Sequence, residues 1–78
     1  MTSRDTEFNL ILTEFNDLYY QLNNFIYKND TNSIHSILEK LIVYYYIFNE
    51  YMSLTPDVVS LYLRKMERLF KEYNVHFT

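Results

Sequence analysis

The chain has 78 residues and a net charge of −3, with 49% apolar and 19% aromatic residues, a single proline, and neither glycine nor cysteine. That length holds one domain, and the apolar content rules out a disordered chain. Without cysteine there is no disulfide, no thiolate zinc site and no cysteine nucleophile; without glycine there is no Asn-Gly hairpin and no phosphate-cradling loop.

The first helix is predicted over about 5–27. Phe8, Ile11, Leu12, Phe15, Leu18, Tyr19, Leu22, Phe25 and Ile26 recur at gaps of mainly three and four, which draws one apolar stripe. Thr2 or Ser3 is the expected cap, with Asp5 and Glu7 near the positive end of the helix dipole. Lys28 to Ser33 reads as a turn, and Asp30, Asn32 or Ser33 caps the next helix.

The second helix is predicted over about 33–52. Its stripe is Ile34, Ile37, Leu38, Leu41, Tyr44, Tyr45, Phe48, Tyr51 and Met52, while Ile42, Val43, Tyr46 and Ile47 lie off it. By propensity alone Leu41 to Phe48 also suits a buried strand. The unbroken spacing from Ile34 to Met52, with no turn residue bounding the run, favours a helix. The third helix is predicted over about 56–74. It is introduced by Thr55 as N-cap, Pro56 at the first helical position and Asp57 in the first turn. Val59, Tyr62, Leu63, Met66, Leu69, Phe70 and Tyr73 form its stripe, and the tail from Val75 is expected to fray unless Phe77 docks. Short connections imply antiparallel neighbours, so the expected fold is an all-α, up-down-up three-helix bundle in a single domain.

A domain of this size tends to need a staple, and association with another chain is the one left open; unusually good helix packing is the competing explanation. The middle of the second helix is apolar almost all the way round. Ile42, Val43, Tyr45, Tyr46 and Ile47 are therefore the candidate partner-binding residues, for a heterologous chain or for a homodimer built on this helix. The plainer reading is that this helix is central and buries them. Tyr44, Tyr45 and Tyr46 are consecutive and cannot share a face; tyrosine suits an interface because its ring packs while its hydroxyl stays wet.

Arg64, Lys65, Arg68 and Lys71 form the basic cluster, a candidate contact for an acidic partner or for phosphate. Residues 56–78 carry four positive and three negative charges, a local excess of only one, so a solvated face is the ordinary reading and nucleic acid is not favoured. Base stacking on the tyrosine triplet would have only Lys40 as a basic neighbour. No catalytic residues, metal ligands, cofactor or small-molecule substrate are indicated. His35 and His76 stand far apart, and no Glu-x-x-His occurs. Met1 to Asp5 lack a leader pattern, and Leu41 to Phe48 is too short to span a bilayer, so an intracellular protein is expected.

The stretch Thr55-Pro56-Asp57-Val58-Val59-Ser60-Leu61, ending in Lys71-Glu72-Tyr73, resembles the second helix of small helical-hairpin aspartyl-phosphate phosphatases. That family's Ser-Gln-Glu-Leu-Asp signature should fall near Tyr62 to Glu67, which reads Tyr-Leu-Arg-Lys-Met-Glu. The resemblance therefore implies no activity. The expected function is a non-enzymatic protein–protein interaction module, such as a small adaptor, inhibitor or regulator. The alternative is a nucleic-acid-associated regulator using the basic face of the third helix.

Overall fold

The structure, a computed structural model, describes residues 3–75, with side chains from Thr6 onward. The cap expected from Thr2 or Ser3, the dipole role of Asp5 and the docking of Phe77 rest on residues or side chains outside those described. The chain is all-α. Helix α1 spans Ser3–Tyr27, α2 spans Thr31–Glu50 and α3 spans Pro56–Glu72. Helix contacts are α1 with α2 and α2 with α3, as in a small three-helix bundle. No helix among the described residues is long and apolar enough to cross a membrane.

With no glycine to adopt the left-handed conformation, asparagine takes that role at two helix ends. Asn29 has φ of 56° and Asn74 has φ of 55°. Asn tolerates this region better than most residues because its short polar side chain bonds locally. Each closes the end of its helix in the same way. Asp30 N–H donates to Phe25 C=O at 3.0 Å and Asn29 N–H to Ile26 C=O at 3.1 Å; Val75 N–H donates to Phe70 C=O at 2.8 Å and Asn74 N–H to Lys71 C=O at 3.3 Å. This crossed pair of bonds satisfies carbonyls that a helix end would otherwise strand.

Asp30 also caps the helix that follows. Its carboxylate accepts Ser33 N–H at 3.2 Å and Ser33 O–H at 2.8 Å, and its C=O accepts Ile34 N–H at 3.0 Å. Of the three predicted cap candidates, Asp30 is the one used, so α2 begins at Thr31, two residues earlier than expected. At its other end α2 stops at Glu50, and Tyr51 to Leu54 form tight turns, with Tyr51 N–H to Phe48 C=O at 3.0 Å and Leu54 N–H to Tyr51 C=O at 3.0 Å. Pro56 opens α3 as predicted, and Asp57 sits in its first turn. Thr55 occupies the cap position, but at φ −148° and ψ 74° its hydroxyl makes no capping hydrogen bond.

The chain divides into two compact units, residues 1–37 and 38–78, with the boundary inside α2. In the first, Phe8, Phe15 and Leu22 lie at successive seven-residue intervals on α1 and are buried, as are Ile34 and Ile37 at the start of α2. Phe15 and Tyr19 meet with ring centroids 5.8 Å apart. In the second, Leu38, Leu41, Phe48 and Tyr51 of the α2 side are buried, and so are Val59, Leu63, Met66, Leu69 and Phe70 of α3. Phe48 stacks on Tyr62 at 5.4 Å and touches Tyr44 at 6.5 Å. Burying such a side chain contributes roughly 1.5–3 kcal/mol, and an offset aromatic pair adds about 0.5–1.5 kcal/mol. Among the described residues no polar or charged residue is buried, and no buried side-chain polar atom lacks a partner. All the stripe residues named from the sequence are buried or half-buried.

Candidate functional site

Successive residues of a helix point about 100° apart, so the side of α2 opposite its buried line is set by the sequence. With Leu38, Leu41 and Phe48 inward, the outward line is Glu39, Val43, Tyr46 and Glu50. Val43 is 56% exposed and Tyr46 is 42% exposed, in the middle of a helix whose other side is core. Ile42 and Ile47 are half-buried, one on each flank of that outward line. Four of the five predicted contact residues thus lie on or beside the outer face.

Tyr45 is the fifth, and it belongs to the seam with α3. Its hydroxyl donates to Glu67 Oε2 at 2.7 Å, and its ring meets Phe70 at 6.1 Å, nearly edge-on. The Glu67 bond, then burial, then the charges of Glu67 and Tyr46 hold the Tyr45 phenol above its ordinary value of 10.0. The phenol therefore stays neutral and keeps donating. Tyr45 also meets Tyr46 at 6.0 Å and 89°, edge to face. Tyr45 thus joins the seam with α3 to the exposed Tyr46 ring beside it.

The predicted basic residues lie on the outer side of α3. Arg64, Lys65, Arg68 and Lys71 are all exposed. Lys65 Nζ lies 5.9 Å from the centre of the Tyr62 ring, a cation–π contact that leaves the ammonium at the surface. Leu61, Tyr62, Arg64, Lys65 and Arg68 line an open cavity. Lys71 lies in the last turn, where a cation complements the helix dipole.

Leu61 is the residue that sequence reasoning passed over. It is 67% exposed, with Val58 one turn earlier at 36%. The signal was present: Leu61 sits between the buried Val59 and Leu63, two positions from each, so it must point away from both. On α1, Leu10, Tyr20 and Tyr27 are likewise exposed and off the stripe.

Among the described residues, no group of three His, Cys, Asp or Glu side chains is placed to hold a metal ion. His35 is exposed on α2. The chain matches no family model, and no curated protein or solved structure matches it.

Proposed function

We propose that this chain is a non-enzymatic interaction module that docks another protein chain through the outer face of α2. Val43 and Tyr46 make the central contact, and Ile42 and Ile47 form its margins. The observation that carries the reading is the exposure of Val43 at 56% and Tyr46 at 42%, side by side on a helix with no sequence need to be apolar there. Covering a large apolar side chain contributes roughly 1.5–3 kcal/mol, scaled by the fraction still exposed. Tyrosine, whose ring packs while its hydroxyl can stay hydrated, is the type of residue that anchors interfaces. An adaptor, an inhibitor or a regulator inside the cell would each work this way.

Hydroxyl-radical footprinting across a concentration series tests this reading. Tyr20 and Tyr27, 67% and 88% exposed, serve as internal references. Tyr46 should lose reactivity as particle mass rises, while the two references keep theirs. If mass rises and Tyr46 stays as reactive as Tyr20, the docking face lies elsewhere. If Tyr46→Asp abolishes helicity by circular dichroism, Tyr46 belongs to the core and the proposal fails. The alternative, a nucleic-acid-associated regulator acting through Arg64, Lys65, Arg68 and Lys71, predicts binding that falls steeply with salt.

A further inference from the structure

We infer that the occupant of the α2 face is the outer face of α3 from a second copy of this chain. The inference rests on the reading of the α2 face given above, and adds the identity of the partner. The charges on α2 disfavour pairing α2 with itself in the two registers that best stack Val43 and Tyr46. An antiparallel pair centred between Val43 and Tyr46 brings Glu39 of each copy level with Glu50 of the other; a parallel pair sets each glutamate against its own equivalent. Like charges brought level oppose association. The occupant needs an apolar centre and a basic flank.

The outer face of α3 has both. Leu61 at 67% and Val58 at 36% are exposed, and Arg64, Lys65 and Arg68 follow Leu61 by three, four and seven residues. All helices advance about 1.5 Å per residue, so equal offsets stay level. Laid antiparallel with Leu61 level with Val43, an offset of three brings Val58 level with Tyr46, and an offset of four brings Lys65 level with Glu39. Glu39 then lies among Arg64, Lys65 and Arg68. Lys40 comes level with Arg64 at this end, where its long stem lets the ammonium turn to water, and at the other end Asp57 falls three residues short of level with Glu50, where both carboxylates stay exposed. A single register thus covers Val43, Tyr46, Val58 and Leu61, four of the exposed large apolar side chains of residues 38–78. The two faces differ, so the contact is heterologous and joins copies head to tail.

A mixing experiment tests this. Leu61→Glu spoils the α3 face and leaves the α2 face; Tyr46→Asp does the reverse. The wild-type chain should show a mass above 9.6 kDa that rises with concentration in sedimentation equilibrium. Each variant alone should lose association by about tenfold or more, and stay helical by circular dichroism. An equimolar mixture of the two should recover a species of twice the monomer mass and nothing larger, because one intact face of each kind remains. If Tyr46→Asp disrupts association and Leu61→Glu does not, the α2 face stands and the α3 occupant is wrong. If the mixture stays monomeric while the wild type assembles, the head-to-tail register is wrong. A wild-type mass fixed at 9.6 kDa with unchanged Tyr46 reactivity overturns the second-copy occupant, while the α2 face itself stands or falls with a chain of different sequence.

Discussion

Phe48 and Tyr46 stand two residues apart on α2, and truncating each to alanine should have opposite consequences. Phe48 is fully buried, stacks on Tyr62 at 5.4 Å and touches Tyr44 at 6.5 Å. Phe48→Ala removes that burial and leaves a cavity, a cost of about 3–5 kcal/mol. A 78-residue chain has a total stability of about 4–12 kcal/mol, so this one change removes about a quarter or more of it. At roughly 4–8 °C per kcal/mol for a domain of this size, the midpoint falls by at least about 12 °C. Tyr46 is 42% exposed and its ring meets that of Tyr45 edge to face at 6.0 Å. Tyr46→Ala should cost under about 1 kcal/mol. Urea unfolding followed by circular dichroism, at a concentration where the chain is monomeric, measures both. Comparable losses, or a larger loss at Tyr46, would mean that α2 is rotated about its axis relative to the description above, and the docking face would go with it.

Three further outcomes follow from the same contacts. Tyr45→Phe should cost about 0.5–1 kcal/mol near pH 8, since it removes an exposed hydrogen bond to a carboxylate. The Tyr45 phenol is held above its ordinary value of 10.0, so the folded state favours the neutral form; this contribution is complete below pH 10 and is lost as pH rises further. The gap between wild type and Tyr45→Phe should therefore close at high pH, and a gap that is constant from pH 8 to 11 would contradict it. Asp30→Ala should lower stability by about 1 kcal/mol and Asp30→Asn by only a few tenths, because either oxygen-bearing side chain still accepts Ser33 N–H; equal losses in thermal unfolding would show that the cap is unimportant. Asn29→Gly should stay within about 0.5 kcal/mol of wild type while Asn29→Val costs about 1–2 kcal/mol, as the left-handed backbone there demands; a harmless valine would argue that this turn is remade at no cost.

The core was legible from residue order because helical geometry leaves little choice. Once Leu38, Leu41 and Phe48 face inward, the fixed angular step places Tyr44 and Tyr45 beside them and sends Val43 and Tyr46 away. The same rule marks Leu61 as outward, although its neighbours Val59 and Leu63 drew attention to the inward line. The start of α2 was less legible, since Asp30, Asn32 and Ser33 are all able caps. What sets Asp30 apart is that its carboxylate accepts both Ser33 N–H and Ser33 O–H, a pairing that the three candidates' order alone does not announce.

Residue order by itself determined three helices, their apolar stripes and the proline-marked entry to α3, because each follows from local periodicity and backbone chemistry. Only the tertiary structure decided which off-stripe residues stay exposed, and that the Tyr45 hydroxyl goes to Glu67, 22 positions away. Those outcomes depend on how close one helix comes to another, a distance that local patterns do not encode. Exposure at Val43 and Tyr46 is therefore a result of packing, whereas their apolar character was written in the chain from the start.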